Sequence, residues 1–176
     1  MKNVEITGNH ITINVRDNCR NVDWGHKNVI KILKRSLASL EKLIYSNATI
    51  ITKKNNKKFS IDLLLCGDLK MKSLNIGFRS KNKTTDVLSF PLYHSLRKGS
   101  DEFVIPGELS LGDIIISRNI AKKQAKEFGL KIEEEVIHLF VHGLLHLLGY
   151  DHEVSKEEEI IMETLEKKVL TNIRNS

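Results

Sequence analysis

Hydrophobic and polar positions follow several distinct periods along this chain, and each period predicts an element. His10-Ile-Thr-Ile-Asn-Val15 alternates with period two, as a strand buried on one face does. From Asp23 to Tyr45 the period lengthens: Ile30, Leu33, Leu37, Leu40 and Ile44 recur at three and four, which stacks them on one side of a helix and turns Lys27, Lys31, Lys34 and Arg35 elsewhere. The basic, turn-prone run 53–58 leads into Phe59-Ser-Ile-Asp-Leu-Leu-Leu65, an interior strand. Asp68 is placed to cap a short helix through about Asn75. Three cations, Arg79, Lys81 and Lys83, then crowd a turn before a strand that stops at Pro91. Residues 92–107 have no steady period and read as a surface loop edging a cleft, with His94 in solvent. Residues 108–117 form a second strongly apolar strand, and Ser117 caps a helix that runs to about Phe128 and stops at Gly129. Another helix starts near Lys131. Ser155-Lys-Glu-Glu158 is a capping box that opens the last helix, with Ile160, Ile161, Met162, Leu165, Val169 and Leu170 on one apolar face.

Helices that separate most of about four strands predict an α+β fold: a single compact domain over 1–176, with a small mixed sheet flanked by about five helices. At 176 residues and 40% hydrophobic, the chain holds one sizeable core. No apolar run approaches the roughly 18–20 residues of a membrane span, and the start lacks the apolar centre of a signal peptide, so a cytoplasmic protein without a membrane partner is expected. Cys19 and Cys66 stand far apart and no C-x-x-C occurs, which predicts two free thiols and no thiolate metal site.

Charge adds a direction. The formal net charge is +6, yet residues 53–98 carry eleven Lys/Arg against three Asp/Glu, whereas residues 131–176 carry five against ten. A basic segment of this kind recruits a polyanion, with strong salt dependence, or serves simply as a solubilising face. Aromatic residues are scarce at 6%, so base stacking is not expected to dominate binding.

Candidate chemistry concentrates in His138-Leu-Phe-Val-His142-Gly-Leu-Leu-His146-Leu-Leu-Gly149-Tyr150-Asp151-His152. His142 and His146, at i and i+4, share one face of a helix. Gly149 ends that helix and lets the chain return His152 to the same point. Three imidazoles with a fourth position open to water is the pattern of a catalytic zinc, one per chain. The neighbours are almost all leucine, valine and phenylalanine, and unpartnered imidazoles buried among them would cost several kcal/mol, which a metal offsets. His138, one turn earlier, reads as a partnered polar residue rather than a ligand. Gly143 stands where zinc peptidases of the H-E-x-x-H type carry their general base, which disfavours peptidase chemistry.

The stretch 142–152 resembles the signature of the YbeY family, bacterial single-strand-specific, metal-dependent endoribonucleases. The segment Leu74-Asn-Ile-Gly-Phe-Arg79-Ser-Lys81, with Thr85-Asp-Val-Leu-Ser-Phe-Pro91, is similar to a second family segment, except that Phe78 stands where tyrosine is usual. Leu111-Gly-Asp113-Ile matches a third. The resemblance implies a four-stranded, mostly parallel sheet with one antiparallel strand in a metal-dependent-hydrolase-like fold. It also implies that Arg79 lies by the metal and is needed for activity. It adds 16S ribosomal RNA 3′-end maturation, ribosome quality control, and association with the small ribosomal subunit and its maturation factors; no DNA partner is expected.

Zinc on His142, His146 and His152 would then act on single-stranded RNA, with Arg79 facing the developing phosphoryl charge and Lys81 and Lys83 holding neighbouring phosphates. Asp113, before an isoleucine run, either orients a histidine or simply ends a sheet pairing. Three rivals stand beside this reading. A zinc peptidase lacks its glutamate, a zinc deaminase lacks its C-x-x-C, and a non-catalytic RNA-binding factor that uses zinc only to fold fits the charge equally well.

Overall fold

The computed structural model describes residues 2–18, 24–46, 48–54, 56–104 and 106–176, so Cys19 and the expected helix start at Asp23 lie outside the described residues. Among the described residues, five strands and five helices follow in the order β1 (Lys2–Thr7), β2 (Ile11–Asp17), α1 (His26–Ile44), β3 (Lys58–Cys66), α2 (Asp68–Arg79), β4 (Val87–Pro91), β5 (Glu108–Ser117), α3 (Arg118–Glu127), α4 (Ile132–Leu147) and α5 (Lys156–Arg174). They build one compact α+β domain.

The sheet order is β1-β2-β3-β5-β4, with β2–β3 and β3–β5 parallel and β1–β2 and β4–β5 antiparallel. The sheet therefore has five strands where four were expected, and antiparallel strands at both edges where one was expected. The additional strand is β1, which pairs with β2 from Lys2↔Asp17 to Thr7↔Thr12. Only Ile6 of β1 is fully buried, so its alternation is too weak to stand out in the sequence.

Ile11, Ile13, Val15, Phe59, Ile61, Leu63, Leu65, Leu109, Leu111, Ile114 and Ile116 form the inner sheet face and join residues of α1, α4 and α5 in one core. Removing such side chains from water is the main stabilising contribution, at about 25 cal/mol per Å² of apolar surface. On the other face, α2 covers only one end of the sheet, through Met71 packed on Cys66, Leu88 and Ile115. The rest of that face stays polar.

Inward positions change parity within β5. Leu109 and Leu111 point into the core, and so do Ile114 and Ile116, because a bulge inserts one residue: Ser60 pairs with Ser110, but Ile61 pairs with Gly112. Gly112 sits at φ 130°, and a Cβ there would lie 2.1 Å from the Phe90 carbonyl oxygen. The bulge consequently turns Asp113 onto the polar face.

Two local expectations change. Asp68 does not cap α2; its carboxylate accepts from the Ser117 hydroxyl at 3.1 Å and from Asn119 Nδ2 at 3.0 Å, and Gly67 occupies the N-cap. The helix also runs a turn beyond Asn75 and ends only where Ser80 takes the left-handed conformation at φ 54°. In α5 the buried residues are Met162, Val169 and Ile173, whereas Ile160 and Ile161 of the expected apolar face are exposed. Ser117 and Ser155 cap α3 and α5 as expected, accepting from the Ile120 and Glu158 N–H groups.

Candidate metal centre

Helix α4 is buried almost all round, from Glu135 to Leu147, and this fixes its rotation on the sheet. Its start is held by the Lys131 N–H, which donates to Glu134 Oε2 at 2.9 Å. Its end is closed by Gly149 at φ 92°, with the Tyr150 N–H donating to the Leu145 carbonyl at 3.0 Å. The returning chain is then held twice more. Asp151 Oδ1 accepts from the Glu153 N–H at 2.9 Å, and the buried Tyr150 ring lies 4.6 Å beneath the Arg97 guanidinium, itself paired with Glu158 at 2.6 Å. These contacts set His152 opposite α4.

His142, His146 and His152 each offer one ligand atom, and these atoms all lie within 4.8 Å of one another. Ring centroids are 4.8, 5.2 and 5.3 Å apart, and the Nε2 atoms of His142 and His146 approach to 3.2 Å. Burial, reinforced by the neighbouring His142 and His152, pushes His146 down to about 4, so it is neutral at pH 7 and keeps a lone pair to donate. The donor set fits a nitrogen-seeking divalent cation such as zinc.

A carboxylate that the sequence pattern did not reveal completes the arrangement. Glu166, nearly three turns along α5 and only 14% exposed at its side chain, places Oε1 3.5 Å from His142 Nδ1 and 3.3 Å from His138 Nε2. On the far side, His138 Nδ1 lies 3.5 Å from Oε1 of Glu135, which is 2% exposed. Burial alone would raise the Glu166 pKa, but His138 and His142 outweigh it and bring it to about 2. Glu135 and Glu166 lift His138 to about 10. A polar chain thus runs Glu135, His138, Glu166, His142. A carboxylate at Nδ1 favours the proton there and leaves Nε2 free toward the shared point. His138 is therefore the partnered residue the sequence suggested.

The trio opens into a cleft of about 580 Å³ whose other walls include Arg79, Asp86, Ser89 and His138. Arg79, the last residue of α2, is exposed there. Asp86 is half-buried; burial would raise its pKa, but hydrogen bonds from Gln124, the Val87 N–H and Thr85 hold it low, so a carboxylate persists on this wall. Lys81 and Lys83 sit on the exposed loop beyond Arg79, outside the cleft lining. Asn75, 1% exposed, anchors that loop: its Nδ2 donates to the Lys83 carbonyl at 2.8 Å and its carbonyl accepts from the Lys81 N–H at 3.2 Å.

The structure does not bring Asp113 to the histidines. It pairs across the strands with Asp62, lies 3.6 Å from Arg16 Nη2, and faces away from α4 because of the bulge. Among the described residues, none of the loop 92–107 lines the cleft either. It packs beneath the Gly149 turn, where the Leu96 N–H donates to the Leu148 carbonyl at 3.1 Å, and His94 is exposed as expected.

Gly143 has a steric reason. A Cβ there would lie 2.9 Å from Ile114 Cγ2 and 3.1 Å from Ser89 Oγ, so α4 can seat against β4 and β5 only without a side chain at this point. No general base fits at the position after His142.

Comparison with known proteins identifies the family. A family model described as Endoribonuclease YbeY matches residues 26–174. A relative named Endoribonuclease YbeY from Thermodesulfovibrio yellowstonii is 37% identical, covering 93% of this chain and 98% of its own length. Another of that name, from Leptospira interrogans, is 44% identical over 70% of this chain and 95% of its own. The solution structure of TM1509 from Thermotoga maritima is similar at a TM-score of 0.55 and 25% identity, covering 92% of this chain and 88% of that one. With a model match across most of its length and relatives this similar, the chain belongs to the YbeY family.

Proposed function

We propose that this protein is a zinc-dependent endoribonuclease that hydrolyses phosphodiester bonds of single-stranded RNA. The observation that carries the reading is the meeting, in one open cleft, of three converging imidazoles with an exposed arginine at a helix terminus. The names of its relatives supply the substrate class.

His142, His146 and His152 would hold the ion, and Glu166 would keep His142 in the ligating tautomer. When bound, zinc supplies Lewis acidity toward a phosphoryl oxygen and lowers the pKa of a water toward roughly 7. Arg79 presents a planar fork of donors to the non-bridging oxygens, where negative charge grows in the transition state. Lys81 and Lys83, held by Asn75, attract the phosphates on either side. The biological setting we infer is cytoplasmic: 16S ribosomal RNA 3′-end maturation and ribosome quality control, with the small ribosomal subunit and its maturation factors as partners. Among the described residues, no helix is long and apolar enough to cross a membrane.

The test combines metal analysis with cleavage of a single-stranded ribosomal RNA fragment by the wild type, His142→Ala and Arg79→Ala. The wild type should carry one zinc per chain, and His142→Ala should lose both metal and cleavage. Arg79→Ala should keep the metal and lose about 10²- to 10³-fold in rate, the cost of deleting one transition-state donor. Full cleavage by both variants would trace the activity to a contaminating nuclease, refute the assignment and leave a zinc-stabilised RNA-binding protein.

A further inference from the structure

The cleft does not end at His138. Phe128, Glu135 and His138 line it on one side and also line an adjoining pocket of about 380 Å³ on the other, so the two cavities share a wall. The second pocket is predominantly apolar, with Ile32, Ile137, Leu170 and Ile173 around it. Phe128, at the C-terminal end of α3, stands on the shared rim with 65% of its surface exposed. This pocket in turn shares Ile32, Arg35, Glu134 and Arg174 with a third cavity of about 450 Å³, to which Lys31 and Lys131 also contribute.

The sequence of surfaces is therefore a metal centre, an exposed aromatic ring, an apolar pocket and a group of four cations. Glu133 and Glu134 lie among those cations, but Glu134 is occupied by the Lys131 N–H, and none of the four cations is ion-paired among the described residues. Ile137 precedes His142 by five residues, about 7.5 Å along the axis of α4, within reach of the nucleotide next to the one being cut. A volume of 380 Å³ lies at the lower end of the roughly 300–1,000 Å³ typical of small-ligand sites and suits one planar heterocycle rather than a peptide segment.

Resting on the RNA reading above, we propose that this pocket is a nucleobase subsite. It receives the unpaired base adjacent to the scissile phosphate, stacked on Phe128, while Lys31, Arg35, Lys131 and Arg174 hold the phosphates that follow. A paired base has its edge and both faces engaged and cannot enter. The pocket thus gives a physical reason for preferring single strands that neither the metal nor Arg79 supplies. It also qualifies the expectation from composition: aromatic residues are few, yet one of them stands where a base leaves the metal centre.

The experiment measures binding of the zinc-loaded full chain to a single-stranded RNA oligonucleotide and to a series in which one base at a time is replaced by an abasic site. With the wild type, one abasic position beside the cleavage site should weaken binding by about 5- to 150-fold, the range for loss of one base–aromatic stack. Phe128→Ala should show a loss of that size on intact RNA and no further loss at that abasic position. Leu170→Trp, which fills the pocket from α5, should behave likewise, and both variants should keep one zinc per chain. The subsite is overturned if every abasic oligonucleotide binds the wild type as tightly as intact RNA, or if both variants bind intact RNA normally. A wild type that holds zinc but neither binds nor cuts RNA would overturn the endoribonuclease reading itself and the subsite with it.

Discussion

Replacing Gly149 with alanine should damage both the fold and the metal centre, by amounts that can be worked from its geometry. Gly149 sits at φ 92°, where an L side chain costs roughly 1–2 kcal/mol. A Cβ there would also lie 2.7 Å from Ser95 Cα and 2.7 Å from Ser95 Oγ, a collision that is partly with backbone and so cannot be relieved by rotating a side chain. Overpacking of this kind adds about 1–3 kcal/mol, for a total near 2–5 kcal/mol. For a chain of this size each kcal/mol moves the melting temperature by roughly 2–4 °C, so the metal-free variant should melt roughly 4–20 °C below wild type. The turn also sets the distance from His146 to His152, so zinc affinity should fall as well. Thermal melts of the chelated protein, with competitive zinc titration, read both quantities. Two companions separate the causes. Gly149→Asn, which tolerates the backbone angle but not the collision, should be nearly as unstable as the alanine variant, and adding Ser95→Gly to Gly149→Ala should recover part of the loss. A Gly149→Ala protein that melts within about 2 °C of wild type and binds zinc as tightly would refute the reasoning.

Other consequences can be measured directly. Glu166→Gln keeps the shape of the group beside His142 but removes its charge, and should weaken zinc binding or activity about 10- to 100-fold, as carboxylates behind histidine ligands generally do; equal affinities would show that Glu166 merely packs. The metal-free protein should lose stability as the pH falls from about 6.5 to about 4. His146 has its folded value near 4, below the usual 6.5, so over that window the unfolded chain takes up the proton first; the contribution reaches about 3 kcal/mol at its lower end. Urea unfolding of wild type and His146→Ala across this range checks the sign, since parallel pH dependences would remove His146 as the cause.

Much of this molecule can be read from residue spacing because spacing reports local geometry. The stripe Ile30, Leu33, Leu37, Leu40 and Ile44 does lie on α1, and the trio at 142, 146 and 152 converges because a helix and one glycine turn suffice to bring it together. What spacing did not convey was relation between elements. Glu166 looks like one more solvated glutamate until α5 docks on α4 and carries it to His142. Asp113 continues the alternation of Leu109 and Leu111 and would point inward, but for a bulge recognisable only from its pairing with β3. Arg79 seemed to lie in a turn because it heads a cluster of cations, whereas packing of Met71 and burial of Asn75 carry α2 one turn further. Edge strand β1, with one fully buried residue, left too faint a pattern to see.

The close seating of α4 on the sheet at Gly143 also limits what this scaffold can become. Two histidines one helical turn apart are shared with zinc peptidases, and in sequence space a single replacement, Gly143→Glu, separates the two signatures. In space the neighbours stand in the way: the incoming Cβ would meet Ile114 and Ser89 before any carboxylate could approach the histidines. A lineage drifting toward proteolysis would first have to hollow out β4 and β5 and lose core packing before any new base could act. That valley of unstable intermediates separates two chemistries that look, letter by letter, like neighbours.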